Sequence, residues 1–103
     1  MKSSLRHRNR RLNRRIPVVS PAAILLKNGQ RIEAQCVELG VGGMTLNAAY
    51  VPSESETLRV EVLSPAESQV ERPPLLVDVI VRRCHALDEE YYELGCEIVE
   101  ILT

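Results

Sequence analysis

The stretch LLKNGQRIEAQCVELGVGGMTL, residues 25–46, decides the fold of this chain. Its opening apolar run ends at Asn28-Gly29, and Asn-Gly between two apolar runs is the strongest short-range signal for a β-hairpin. We expect a type I′ turn there, in which both central residues have positive φ. The next residues, Arg31–Leu39, alternate between apolar and polar, which predicts a strand with one face toward a core.

Apolar runs on both sides of this stretch predict further strands. The run 18–26 is interrupted by Pro21, which predicts an edge strand or a break. The run 75–81 is expected to end as a strand at Arg82-Arg83. A further strand is predicted to begin at Met44, and two more are predicted over 58–62 and 94–98, where apolar and polar residues alternate. A polar loop is predicted at 64–74 and a turn at 88–90. Six short strands and no helix predict an all-β fold, either a small barrel or a sandwich.

The length and composition suit a single domain. The chain has 103 residues, enough for one modest core. No apolar run reaches the roughly 18–20 residues of a membrane-spanning helix, so no membrane insertion is expected. The cysteines Cys36, Cys84 and Cys96 lack metal-type spacing, and each lies in an apolar stretch. We interpret them as reduced core residues of a cytoplasmic protein.

Charge is divided unevenly along the chain. Residues 1–15 carry seven positive side chains and no acid, whereas residues 16–103 hold the other six positives and all 14 acids, a net charge of −8. The first segment is polar and lacks periodicity. We therefore predict a flexible basic N-terminal arm over 1–15 and a barrel domain over 16–103. A basic arm on an acidic body predicts an anionic partner.

Four arginines of the arm stand immediately before the first strand. The stretch RRLNRR, residues 10–15, contains two R-x-x-x-R frames, Arg10/Arg14 and Arg11/Arg15. A guanidinium is permanently charged and planar, so it can hold a phosphate, pair with O6 and N7 of guanine, or stack on a base. Lysine would supply charge alone. The choice of arginine favours ligand recognition, and the alternative is a solvated basic tail.

The segment ELGVGG, residues 38–43, places three glycines within four residues between two predicted strands. Glycine allows positive φ and the close approach of a ligand to the backbone. No Lys-Ser/Thr pair and no helix follow, so the segment is not a P-loop, and its spacing is not G-x-G-x-x-G. It predicts a tight turn at a barrel corner or a turn that touches a ligand.

Together, the arginine stretch and the glycine turn resemble the PilZ domain, a bacterial receptor module for the second messenger cyclic di-GMP. That family carries R-x-x-x-R just before its first strand and D/N-x-S-x-x-G about twenty residues later. Here the best frame is RLNRR, residues 11–15, and the second motif aligns with 38–43, so that Arg15 and Glu38 are 23 residues apart. The resemblance covers the chain from about Arg10. It implies a six-stranded antiparallel β-barrel of the split-barrel type.

The resemblance also implies a set of ligand-binding residues. Arg11 and Arg15 would contact guanine edges and phosphates and stack on bases, with Arg10 and Arg14 as contributing neighbours. In the second motif, the acid or amide and the serine hydrogen-bond a guanine, and the final glycine permits the turn. Of that motif only Gly43 matches. Glu38 keeps a carboxylate on a side chain one methylene longer, and Gly40 stands where serine is expected.

The function implied is a stand-alone receptor, not an enzyme, which binds cyclic di-GMP without a cofactor and relays the signal to an effector protein. The alternative is a PilZ-like adaptor that has lost the ligand and acts by protein–protein interaction, an alternative supported by Glu38 and Gly40. A third hypothesis is that the arm binds RNA or an anionic surface. The chain has no Phe and no Trp for base stacking, and its acidic body would repel a polyanion, so nucleic acid is not the expected partner.

Other polar residues carry no predicted chemistry. His7 and His85 have no partners at metal or triad spacing. The acidic run 88–90 lacks the alternating ligand spacing of a calcium loop. Neither a catalytic nor a metal site is therefore predicted.

Overall fold

Six strands make up the part of the chain that the computed structural model describes, residues 16–63 and 73–102, with residues 16–18 described by their backbone. The strands are β1 (Ile16–Leu25), β2 (Arg31–Leu39), β3 (Gly43–Ala48), β4 (Thr57–Val62), β5 (Leu75–Ala86) and β6 (Tyr92–Ile101). The predicted all-β fold of six strands is confirmed. Within the described ranges, no helix is long and apolar enough to cross a membrane.

The strands close into a barrel in the order β1-β2-β3-β6-β5-β4, and every neighbouring pair is antiparallel. The barrel is therefore confirmed over the sandwich. Closure gives each strand two partners and leaves no open sheet edge. The edge strand or break predicted at Pro21 is wrong, because β1 pairs with both β2 and β4. The Pro21 carbonyl accepts a hydrogen bond from the Leu63 N–H at 2.8 Å.

An aliphatic core fills the barrel. The two-residue period of the strands sends alternate side chains inward. The chain has no Phe or Trp, so medium-sized aliphatic side chains fill the interior, each contributing roughly 1.5–3 kcal/mol when fully buried. All six strands contribute to the largest fully buried set: Ile24, Cys36, Met44, Leu46, Val60, Val77, Val79, Leu94 and Cys96.

The hairpin between β1 and β2 is not the predicted type I′ turn. The Gly29 N–H donates to the Leu26 carbonyl at 3.0 Å, and the Leu26 N–H donates to the Gln30 carbonyl at 2.9 Å. Gly29 has φ of +90°, whereas Asn28 does not have positive φ. This is the pattern of a three-residue loop, in which a type I turn is followed by a left-handed glycine. Asn28 instead accepts a hydrogen bond from the Gln30 N–H through Oδ1 at 2.9 Å.

Strand β5 is longer than predicted. The sequence predicts an end at Arg82-Arg83, but the strand continues to Ala86, opposite Tyr92 of β6. Every residue from Arg82 to Ala86 is exposed. The apolar run marks only the part of β5 that lines the core, and pairing with β6 extends the strand beyond it.

The cysteines divide between the core and this exposed extension. None of the three forms a disulfide. Cys36 and Cys96 are buried, as predicted, whereas Cys84 is exposed. The prediction that Cys84 is a core residue is wrong because it lies in the part of β5 that extends past the core.

Candidate functional site

The predicted ligand-binding residues fall into two groups. The predicted arm, residues 1–15, lies outside the described residues. So do the four ligand-binding residues predicted in it, Arg10, Arg11, Arg14 and Arg15. Those of the glycine turn are described, and they connect β2 to β3: Glu38, Gly40 and Gly43.

The start of β1 lies beside the glycine turn. Ile16 is the Cα partner of Leu39, and Pro17 is the Cα partner of Glu38. Paired residues on neighbouring antiparallel strands are about 4.5–5.5 Å apart. Because Arg15 is covalently joined to Ile16, the chain enters the barrel at the same end as the turn. The register thus brings the attachment point of the arginine stretch next to the second motif.

A β-bulge turns Glu38 to the outside of the barrel. On one side of the bulge, Cys36 pairs with Leu46, and both side chains are buried in the core. On the other side, Glu38 rather than Val37 pairs with Thr45. Strict alternation would have sent the Glu38 side chain inward with Cys36. The extra residue reverses that direction, as bulges do next to functional sites.

Glu38 has a hydrogen-bond partner that the sequence reasoning missed. The Thr45 hydroxyl donates to Glu38 Oε1 at 2.9 Å. Thr45 is only 3% exposed, so this bond holds the carboxylate against β3. The sequence contains one sign of this contact. Thr45 is a polar residue between the apolar Met44 and Leu46, so alternation places its side chain on the outer face of β3, which neighbours β2.

The glycine turn is tight without positive φ. The Gly40 N–H donates to the Gly43 carbonyl at 2.9 Å, and the Gly42 carbonyl accepts a hydrogen bond from the Ile98 N–H of β6 at 2.9 Å. Neither Gly40, Gly42 nor Gly43 has positive φ, so the turn does not use the left-handed conformation that glycine allows. A Cβ at Gly42 would meet no atom within 4 Å, and Val41 is 83% exposed. The turn therefore offers an open backbone surface.

Four strands carry one row of outward-facing residues across this end of the barrel. Glu38 of β2 pairs with Thr45 of β3, Thr45 with Gly95 of β6, and Gly95 with Arg83 of β5. A second bulge, between Val81 and Arg83, sets this register. The sequence reasoning assigned no role to Gly95 or Arg83. Only the register of the closed barrel places them in line with Glu38.

A second row runs parallel to the first, one step further from the turn. Gln35 pairs with Asn47, Asn47 with Glu93, and Glu93 with His85. His85 Nε2 lies 3.1 Å from Glu93 Oε1. Asn47 Oδ1 is buried and has no hydrogen-bond partner in the described part of the chain. The outer face of these four strands is thus polar over at least two rows.

The turn between β5 and β6 forms where it is predicted. Asp88 Oδ1 accepts hydrogen bonds from the N–H groups of Glu90 and Tyr91, each at 2.8 Å. These two donors stabilise the carboxylate and lower the pKa of Asp88. Over residues 16–63 and 73–102, no group of three or more His, Cys, Asp and Glu side chains is arranged to hold a metal ion.

Comparisons with known proteins agree with this geometry. The family model of the PilZ domain matches residues 9–103. A solved structure of the Bacillus subtilis inhibitor of motility, MotI/DgrA, superposes with a TM-score of 0.69 at 22% sequence identity. The superposition covers 85% of this chain and 42% of that one, so the chain spans less than half of its neighbour. No curated protein matches the chain.

The family match begins within the arginine-rich segment and continues through the last strand. The closed barrel has the same fold as a larger solved protein. The chain therefore belongs to the PilZ domain family, a family of cyclic di-GMP receptors.

Proposed function

We propose that this chain is a cyclic di-GMP receptor that binds its ligand between the N-terminal arginines and the turn at 38–43. The observation that carries the proposal is the pairing of Ile16 with Leu39, which places the root of the arm beside that turn. An extended chain spans at most about 3.3–3.6 Å per residue. Arg11, five residues before Ile16, therefore lies at most about 18 Å from Ile16.

The chemistry of the two sides is complementary to a cyclic dinucleotide. Arginines in the 10–15 stretch would neutralise the two phosphates and pair with guanine edges, since a guanidinium serves both purposes. The Glu38 carboxylate, held outward by Thr45, would accept hydrogen bonds from the N–H groups of a guanine. The turn, which is exposed at Val41 and Gly42, would allow the ligand to approach closely.

Signalling in this proposal is an ordering step. Residues 1–15 act as an arm on a barrel of residues 16–103, in the cytoplasm, with no cofactor and no catalysis. Fixing the arm opposes binding by about 1–2 kcal/mol per ordered residue, so several charge-assisted contacts must form together. The ordered arm would cover one end of the barrel, and an effector protein would bind either the open or the covered surface.

Isothermal titration calorimetry with cyclic di-GMP tests the proposal. We expect saturable heat for the wild type and none for the double variant Arg11→Gln/Arg15→Gln. The matched control is Arg6→Gln/Arg8→Gln, which removes the same charge from the same segment and lies outside the match to the family model. This control should bind within about threefold of the wild type. Absence of heat for the wild type up to millimolar ligand would overturn the proposal.

A salt titration separates this proposal from general binding of anions by the arm. A polyanion bound by charge alone loses affinity steeply as salt rises and shows little preference for sequence. We expect cyclic di-GMP to compete fully against a random RNA oligonucleotide. Failure of cyclic di-GMP to compete, together with a steep salt slope for the oligonucleotide, would favour the RNA hypothesis.

A second candidate function is that of an adaptor that no longer binds the ligand. Two observations favour it: Glu38 is already hydrogen-bonded to Thr45, and Gly40 has no hydroxyl where the family has serine. One hydrogen bond contributes roughly 0.5–1.5 kcal/mol net, so the missing hydroxyl lowers affinity by about tenfold at most. Ligand-independent capture of a partner, together with a silent calorimetric titration, would identify the adaptor.

A further inference from the structure

The outer face of the barrel carries a groove of about 480 Å³. It is lined on one side by the sheet and on the other by the turn between β5 and β6, with these side chains among its walls: Glu33, Gln35, Asn47, Leu87, Asp88 and Tyr91. Pockets for small ligands typically measure about 300–1,000 Å³. The groove is therefore large enough for a nucleobase.

Two apolar side chains of the turn form one wall of this groove. The Leu87 N–H donates to the Tyr91 carbonyl at 2.8 Å, so the two residues close the turn together. Leu87 is 46% exposed and Tyr91 is 47% exposed. All three tyrosines of the chain are described, and the other two, Tyr50 and Tyr92, pack against the core. The ring of Tyr91 is thus available to a ligand, and bases stack on aromatic rings.

The polar groups of the groove suit a guanine better than a phosphate. Among the described residues that line it are two carboxylates and no lysine or arginine. Glu33 Oε2 lies 2.9 Å from Arg31 Nε. Asp88 receives its two N–H donors on Oδ1, so Oδ2 has no hydrogen bond within the described ranges. A carboxylate repels a phosphate, but it accepts hydrogen bonds from the N1–H and N2–H groups of a guanine.

The groove adjoins the proposed ligand site on the same face of the sheet. Gln35 pairs with Asn47, one step along the strands from the pair of Glu38 and Thr45. Two residues of a strand span about 7 Å, which separates the two rows. Cyclic di-GMP carries its two guanines on opposite sides of one ring of riboses and phosphates. A ligand that contacts Glu38 with one guanine can therefore bring the other to the groove.

We infer that this groove binds the second guanine of cyclic di-GMP, stacked on the ring of Tyr91 with its N–H edge toward Asp88. The proposed function places one guanine at Glu38, and the ligand has two identical bases. With both bases held on the sheet, the phosphates between them are left to the arginines of the arm. The inference rests on the proposed function and extends it by a second base site.

Calorimetry with cyclic di-GMP on two Tyr91 variants is the first test. Tyr91 contributes to the turn through its N–H and carbonyl, which Tyr91→Ser and Tyr91→Phe both keep. Stacking on an aromatic ring contributes enough that Tyr91→Ser should bind about tenfold more weakly, whereas Tyr91→Phe should bind within twofold of the wild type. The control Val51→Ser removes an exposed apolar side chain that does not line the groove, and it should bind like the wild type.

The outcomes separate the inference from the proposed function. If the wild type binds and Tyr91→Ser binds within twofold of it, the second base site is overturned and the proposed function stands. If the wild type does not bind, both fall.

Tyrosine fluorescence gives a readout that a merely structural role would not change. The chain has no tryptophan, so its emission comes from three tyrosines. A base stacked on the Tyr91 ring should quench part of this emission. We expect Tyr91→Phe to bind cyclic di-GMP with unchanged affinity but to show a smaller quench than the wild type at equal saturation. The same ligand additions to both proteins cancel absorption by the ligand. Equal quenching in the two proteins would overturn the stacking contact.

Asp88→Asn tests the orientation of the base. Asparagine keeps an acceptor for the N–H groups of the turn but replaces the other carboxylate oxygen with an N–H donor, which opposes the donors of guanine. We expect a three- to tenfold loss of affinity for cyclic di-GMP. The control Glu89→Gln removes a charge from an exposed neighbour that does not line the groove, and it should change affinity less than twofold. Equal affinities for the two variants would overturn the contact with Asp88.

Discussion

Thr45 holds Glu38 in place: its buried hydroxyl donates to Glu38 Oε1 at 2.9 Å, across the β2–β3 pair just past a bulge. The bulge aims the carboxylate outward, and the hydroxyl limits its motion. The Glu38 carboxylate is thereby held close to the outer face of the sheet.

Thr45→Val should therefore affect both stability and binding. Valine matches threonine in shape but cannot donate, so the free energy of unfolding should fall by about 0.5–1.5 kcal/mol. Affinity for cyclic di-GMP should fall about three- to tenfold, because Glu38 is no longer oriented. Urea unfolding and calorimetry measure the two effects. Thr57→Val, at an exposed site on β4, should change neither; unchanged affinity in Thr45→Val would show that Glu38 does not need this donor.

Restoring the serine of the family motif should improve binding. Gly40 does not have positive φ, so a serine there brings no left-handed backbone strain. We expect Gly40→Ser to bind cyclic di-GMP with equal affinity or up to about tenfold more tightly, the effect of one added hydrogen bond. Gly42→Ser makes the same change where a Cβ would meet no atom within 4 Å, and it should have no effect. A weaker Gly40→Ser variant would argue against the aligned role of position 40.

Gly29→Ala should destabilise the barrel although there is room for the methyl group. A Cβ at Gly29 would contact nothing within 4 Å, but its φ of +90° is costly for other residues. The expected loss is about 1–2 kcal/mol in the free energy of unfolding. Gly42→Ala, with equal room and no positive φ, is the control and should lose much less. Equal losses for the two variants would show that φ is not the cause.

Asp88 should contribute stability that depends on pH. Hydrogen bonds from the N–H groups of Glu90 and Tyr91 hold its pKa below the ordinary value of 3.8. The folded state then favours the ionised form, so the contribution is complete above about pH 4 and is lost as the pH falls through the lowered pKa. Asp88→Ala should be less stable than the wild type at pH 7, and the gap in urea midpoint should narrow toward pH 2.

Two controls accompany the Asp88 experiment. Asp88→Asn keeps an acceptor oxygen that cannot titrate, so its stability should change less with acid than that of the wild type. Glu89→Ala alters an exposed neighbour in the same turn. A gap between wild type and Asp88→Ala that stays constant from pH 7 to pH 2 would contradict the assignment.

One thiol of three should react in the native protein. Cys84 is exposed on the extension of β5, whereas Cys36 and Cys96 are buried. Burial also raises the pKa of the Cys36 thiol to about 11, which suppresses its reactive thiolate. A chromogenic disulfide reagent should label one thiol quickly and the other two only after unfolding. Cys84→Ser should abolish the fast phase; more than one fast thiol would mean that the barrel opens readily.

The fold was predictable because its signals are local. The Asn28-Gly29 pair and the alternation over 31–39 specify a hairpin and its inward face whatever the tertiary context. Two of the details that were predicted wrongly depend on neighbouring strands. Pro21 lies inside a strand because β4 completes the barrel around it, and β5 continues past Val81 because β6 pairs with it.

Only the part of the candidate site that lies in one contiguous sequence motif could be predicted from the sequence. Glu38 and the glycine turn follow from the sequence and its resemblance to PilZ domains. Thr45, Gly95 and Arg83 could not be found in this way, because two bulges set their register and shift each strand by one residue. A one-residue shift exchanges the two faces of a strand, so no count of spacing along the chain predicts which side chains meet.

The direct bond between Arg15 and Ile16 also has a kinetic consequence. Because Ile16 pairs with Leu39 at the turn, the arginines are tethered to one half of the site by only a few residues. A short tether gives an effective concentration in the millimolar range. In the proposed complex, each guanidinium contact could then break and re-form many times without release of the ligand. The residence time would be set by the simultaneous loss of all contacts. The same arginines in a separate peptide would have to be supplied at that concentration to bind as well.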